Sequence, residues 1–191
     1  GKDFINASDN EWAAKMHDDL IDAVSWSVEQ GVTTPDKVAI MGGSYGGYAT
    51  LVGLTFTPDT FACGVDIVGP SNLETLLATI PPYWAAFFEQ FAKRVGDPRT
   101  EEGKKILNER SPLGLVQKIE KPLLIGQGAN DPRVPQSESD QVVAGIRRNG
   151  VEAWYVVFAD EGHGFQKKPN NDLRREVETV FLRRLFAGPA E

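Results

Sequence analysis

The alternation of short apolar runs with helical stretches constrains this chain more than any other feature of its sequence. Residues 37–41, 61–68, 122–126 and 153–158 are apolar runs bounded by turn residues, which reads as four buried strands. Helical spacing fills the intervals. From Trp12 the positions Met16, Leu20, Ile21, Val24 and Val28 recur every three or four residues until Gly31 and Thr34-Pro35, the pattern of a helix with its stop. Residues 48–56 are helix-like and stop before Pro58. Residues 73–95 are mostly helical, interrupted by Pro81-Pro82, and residues 137–149 close at Gly150. Residues 171–186 offer an amphipathic helix with Leu173, Val177, Val180, Phe181, Leu182 and Leu185 as its apolar side. The polar opening, residues 1–10, reads as a loop, and Ser8 to Glu11 supplies helix-start chemistry. Strands alternating with helices imply right-handed βαβ units and a parallel sheet covered on both faces. No repeat or linker divides the chain, so residues 1–191 are expected to form one α/β domain.

Charge and cysteine content remove several function classes. The formal charge is -7, from 20 Lys+Arg against 27 Asp+Glu, and the basic pairs are scattered among acids. Phosphate binding needs clustered cations, so no nucleic-acid partner is expected. No apolar run approaches the roughly 20 residues of a membrane helix, and no membrane partner is expected. Cys63 is the single cysteine and lies in an apolar stretch, where it reads as a small buried hydrophobe. One cysteine fits a reducing compartment, and a cytoplasmic location is expected. Two histidines and one cysteine are too few for a zinc site, so neither metal nor organic cofactor is expected.

The chemistry sits where strands end. Gly42-Gly43-Ser44-Tyr45-Gly46 matches G-x-S-x-G between a strand and a helix, the context of a nucleophile elbow. Such a turn lifts the Ser44 hydroxyl above the strand ends. The next helix aims its N–H groups at any developing oxyanion, with the Tyr45 amide as first donor. A serine hydroxyl needs a base. His17 lies inside the first helix and precedes Ser44, and reads as a packed or partly exposed helix residue. His163 lies between two glycines directly after the last strand run. The chain order Ser, acid, His is the one such elbows require, and His163 fits it. The acid must lie between them at a strand end. Asp131, in the turn after the 122–126 run, fits, whereas Asp160 shares the loop of His163. The acid would hold the imidazole tautomer and stabilise the imidazolium.

Residues 38–49, 127–135 and 161–165 together resemble the prolyl oligopeptidase family of serine peptidases, above all its acylaminoacyl-peptidase and dipeptidyl-peptidase-like branch. The resemblance covers essentially the whole chain. It implies Ser44, Asp131 and His163 as nucleophile, acid and base, with the Tyr45 N–H as one oxyanion donor. It implies Arg133 as a binder of a substrate backbone carbonyl, and Val134 with Tyr83, Trp84, Phe87 and Phe88 as lining of a specificity pocket. For the aromatics, packing on a helix is an equally good reading.

The family's hydrolase domain has eight strands beside a β-propeller, and this chain offers the last four. The resemblance therefore implies an α/β-hydrolase sheet truncated on its N-terminal side, without the upstream segment that supplies a second oxyanion donor. Loss of one such donor costs about 10²–10³ in rate. The first strand would become an apolar edge, covered by a homo-oligomer or by the missing N-terminal region. The expected substrate is a small peptide, acylaminoacyl or dipeptidyl. A small acyl ester handled by the same triad is the alternative, and a weak or inert fragment of a larger peptidase is a further one.

Overall fold

A computed structural model describes residues 1–80 and 82–187. Four strands, β1 (Ala39–Gly43), β2 (Cys63–Ile67), β3 (Leu123–Gly128) and β4 (Ala153–Phe158), pair in parallel in the order β1-β2-β3-β4. Gly42 is level with Asp66, Val65 with Leu124 and Ile125 with Tyr155. Eight helices accompany them among the described residues: α1 (Lys2–Asn6), α2 (Lys15–Glu29), α3 (Tyr45–Phe56), α4 (Leu73–Ala78), α5 (Ala85–Val95), α6 (Glu101–Glu109), α7 (Gln136–Arg148) and α8 (Lys168–Phe186). Short 3₁₀ turns cover Pro35–Lys37, Pro82–Trp84 and Pro112–Lys118.

Both sheet faces are covered, as βαβ geometry demands. On one face Leu51 and Leu54 of α3 meet Val142, Val143 and Ile146 of α7 over Leu123 and Ile125. On the other, Phe181 of α8 packs on Cys63, Val65 and Leu124. Phe181 and Cys63 are fully buried, and burial of a phenylalanine ring contributes about 1.5–3 kcal/mol. A third cluster joins Tyr48 and Val52 of α3 to Leu73, Leu77, Val95 and Leu107 of α4–α6. The four parallel strands with apolar clusters on both faces are the sheet that the sequence implies. β1 lies at its edge. Met41 is 54% exposed there, and a groove of about 630 Å³ runs past Phe4, Met16, Leu20, Met41 and Tyr45.

Several local expectations need correction. Residues 2–6 are helical, not a loop, and Ser8 caps the end of that helix by donating to the Ile5 carbonyl at 2.7 Å. Helix α2 starts at Lys15 and not near Ser8. Asn10 and Ala13 adopt left-handed φ of 60° and 52°, and the Asn10 amide donates to the Arg94 carbonyl. Contact with α5 holds that segment in turns, and Glu11 accepts from the Lys15 amide instead. Along α8 the buried stripe is Val177, Phe181, Leu182 and Leu185. Val180 is 56% and Leu173 48% exposed, the first on the far side of the helix. Helix α6 is an addition to the expected elements, although Thr100 caps it by accepting from the Gly103 amide and Glu101-Glu102 fill its first turn. Pro82 opens a 3₁₀ turn between α4 and α5, and Pro81, the other expected interruption, lies outside the described residues.

Candidate active site

The elbow is built by a crossing too close for side chains. A Cβ on Gly42 would stand 2.6 Å from the backbone of Gly46, and one on Gly47 2.7 Å from Cα of Gly69. Ser44 sits at the apex with φ 56° and ψ −116°, a strained region for a residue with a side chain. Its amide donates to the Ile67 carbonyl of β2 at 2.8 Å. Helix α3 starts at the next residue, so the Tyr45 amide is among the free donors of its first turn. The Tyr45 ring is pinned against Trp12 at 4.7 Å between centroids, and its hydroxyl donates to the Met16 sulfur. Burial pushes that phenol up to about 12.

The acid arrives on the turn after β3. Asp131 Oδ1 accepts from the amides of Arg133 at 2.8 Å and Val134 at 2.9 Å. Those bonds aim Oδ2 at the imidazole. His163 arrives on the turn after β4. Its loop is anchored by Glu161, whose buried carboxylate accepts from the amides of Gln166 and Lys167 and from Asn170 Nδ2. The Gln166 amide leads in holding that carboxyl below its ordinary range. The two loops are also joined directly, because the Asn130 amide donates to the Glu161 carbonyl and Asn130 Nδ2 to the Ala159 carbonyl.

The three side chains meet. His163 Nε2 lies 2.8 Å from Ser44 Oγ, and His163 Nδ1 lies 2.8 Å from Asp131 Oδ2. The carboxylate side chain is fully buried and the imidazole is 12% exposed. Asp160 pairs with Lys167 and Asn170 at the surface. His17 is buried elsewhere, with Nε2 against Thr57 Oγ1 at 2.9 Å.

The other singled-out residues divide. Arg133 stacks its guanidinium over the Trp84 ring at 4.5 Å, and Tyr83, largely exposed, packs edge-on against Trp84. Val134 is buried, with its amide on Asp131 and its carbonyl accepting from Gln127. Phe88 joins the α3–α6 cluster under Arg99, and Phe87 is exposed. Sequence reasoning missed Glu161 and Asn130. Only their neighbourhood in the His163 and Asp131 motifs pointed to them, since spacing alone does not tell which carboxylate will turn inward.

Comparison with family models matches residues 1–188 to the Prolyl oligopeptidase family. The chain belongs to the prolyl oligopeptidase family. Two curated relatives align with the whole chain: dipeptidyl aminopeptidase BIII of Pseudoxanthomonas mexicana, 68% identical, and dipeptidyl peptidase family member 6 of Caenorhabditis elegans, 50% identical. The chain spans 28% and 26% of those proteins' lengths. Among solved structures, a Mycobacterium tuberculosis puromycin-hydrolyzing peptidase superposes with a TM-score of 0.86 at 27% identity. That match covers 94% of this chain and 27% of the other. The loops that carry Ser44, Asp131 and His163 lie at the carboxyl ends of the strands. Among the described residues no helix is long and apolar enough to cross a membrane.

Proposed function

We propose that this chain is the triad-bearing part of a serine peptidase that removes dipeptides from peptide N-termini, with Ser44 as nucleophile, His163 as general base and Asp131 as orienting acid. The observation that carries the reading is the pair of 2.8 Å contacts made by the two nitrogens of one imidazole, to Ser44 Oγ and to Asp131 Oδ2. The dipeptidyl names of the two relatives, at 68% and 50% identity, support the substrate class over an acylaminoacyl peptide.

Ser44 Oγ attacks the scissile carbonyl carbon while its proton passes to His163 Nε2. The carbonyl oxygen becomes an oxyanion facing the first amides of α3, that of Tyr45 foremost. The C–N bond breaks, and the amine leaves carrying the proton from Nε2. A water then gives its proton to the same nitrogen and attacks the acyl carbon, releasing the dipeptide acid and restoring Ser44. Asp131, with Oδ1 occupied by two amides, keeps the proton on Nδ1 and stabilises the imidazolium. Arg133, rigidified on Trp84, offers a cation beside the triad for a substrate carbonyl.

A fluorophosphonate probe on the whole protein tests the nucleophile. Labelling should occur and vanish in Ser44→Ala, with turnover of a dipeptidyl anilide lowered by about 10⁶. No labelling of the intact protein would refute catalysis by this triad. Faster turnover of an acylaminoacyl anilide or a p-nitrophenyl ester would refute the substrate class.

A further inference from the structure

Beneath the elbow lies an acid that the reaction scheme does not use. Asp66, on β2 level with Gly42, is 1% exposed. Its Oδ1 accepts from the Gly69 amide at 2.9 Å, while Oδ2 has no hydrogen-bond partner among the described residues. The carboxyl is wedged between two glycines. A Cβ on Gly47 would stand 2.2 Å from Oδ1, and one on Gly69 2.3 Å from it. Between Asp66 and Gly69 runs a distorted turn. Val68 adopts φ 50°, which is unfavourable for a β-branched residue. The Ile67 carbonyl in that turn receives the Ser44 amide. Two strained residues, Ser44 and Val68, therefore share one hydrogen-bonded junction, and the Asp66–Gly69 bond closes it.

The surroundings of Asp66 favour the uncharged acid. Around it stand Gly47 from α3, Gly42 from β1, Ile125 from β3 and Gly69 from its own turn. None of these ionises. Glu138 of α7 is occupied by the amides of Ser71 and Asn72 and the hydroxyls of Ser71 and Thr75. A buried carboxylate without a counter-ion takes up a proton rather than remain charged. Burial pushes this carboxyl up to about 8, against the smaller opposing effect of the Gly69 amide.

We propose that Asp66 is a positioning residue for the Ser44 elbow, competent as the neutral acid, and that its ionisation disables the elbow on the alkaline side. The inference rests on Ser44 being the nucleophile. The neutral acid keeps the Gly69 bond and so the turn that seats the Ser44 amide. An ionised Asp66 is a negative charge in contact with Gly47, under the first turn of α3. That turn's amides and dipole are the ones that would stabilise the oxyanion. The charge draws on the same donors and opposes the transition state.

The test is the pH profile of Ser44 labelling by a fluorophosphonate in the whole protein, wild type against Asp66→Asn. Asparagine keeps the acceptor for Gly69 and cannot ionise. Absence of Ser44 labelling at neutral pH would sink the functional reading, an outcome distinct from failure of the Asp66 proposal alone. With labelling present, the wild-type rate should fall at least about tenfold as pH rises through about 8, and Asp66→Asn should lack that limb. Asp66→Ala, which loses the bond, should cut kcat by about ten- to a hundredfold with KM unchanged, and Asp66→Asn should restore it. An alkaline limb of equal position and depth in Asp66→Asn overturns the proposal. Infrared spectra of the wild type need no variant to fold. A protonated-carboxyl band should persist at neutral pH and vanish through about 8. Its absence at neutral pH also overturns the proposal.

Discussion

Gly128→Ala attacks the junction between the acid and base loops without touching either side chain. Gly128 ends β3, and a Cβ there would stand 2.2 Å from the Gly162 carbonyl oxygen and 2.7 Å from that of Glu161. Both obstacles are backbone, so no rotamer change relieves them. Ordinary contact begins at 3.4 Å, and the His163 loop must retreat by about an ångström. The Asp131–His163 contact is 2.8 Å, and stretched by that amount it leaves hydrogen-bond range. Misplacement by about 1 Å costs about 10²-fold in rate, and overpacking of this kind costs about 1–3 kcal/mol of stability. The assay is the second-order rate of fluorophosphonate labelling at Ser44, beside a thermal unfolding curve. Gly114→Ala serves as control, because a Cβ at Gly114 meets nothing within 4 Å. A Gly128→Ala protein that labels within about threefold of wild type and melts at the same temperature would refute the reasoning, since the loops would then be loosely joined.

Two further perturbations have defined outcomes. Arg133→Ala should raise KM for a dipeptidyl anilide by about tenfold with a smaller effect on kcat, because it would remove the proposed substrate contact, worth about 1.4 kcal/mol, without altering Ser44, Asp131 or His163. Steady-state kinetics check this, and an unchanged KM would contradict it. His17 is buried, and that burial lowers its pKa, so the folded chain prefers the neutral ring. The unfolded chain takes up the proton first, and stability should fall as pH drops below about 6.5. Melting temperatures measured across that range should decline less steeply in His17→Gln, and parallel declines would exclude the assignment.

Much of the architecture was legible because parallel strands buried on both faces appear as uninterrupted apolar runs. All four runs became strands, with ends displaced by up to two residues. The meeting of Ser44, Asp131 and His163 was legible for a different reason: each stands on the turn that follows such a run, so chain order and strand order carry the same information. Tertiary contact was the hidden part. Asn10 and Ala13 interrupt an otherwise helical pattern because Arg94, far along the chain, claims the local amide. Val180 fits an apolar list but not the stripe that faces the sheet. Asp66 sits in the middle of a strand run, where spacing says only that it points to one face. Its burial against Gly47 and Gly69 emerges only when two turns are brought together.

The parallel ladder has one more implication. Ser44 follows β1 directly, Asp131 lies three residues past β3 and His163 five past β4, and the Ser44–His163 contact spans 119 positions of chain. Sliding β3 against β4 by a single step would carry the carboxylate about 3.3 Å from the imidazole and turn every side chain of the slipped strand to the wrong face. Reactivity at residue 44 thus doubles as a gauge of strand alignment. A misregistered sheet could be compact and helical and still be chemically mute.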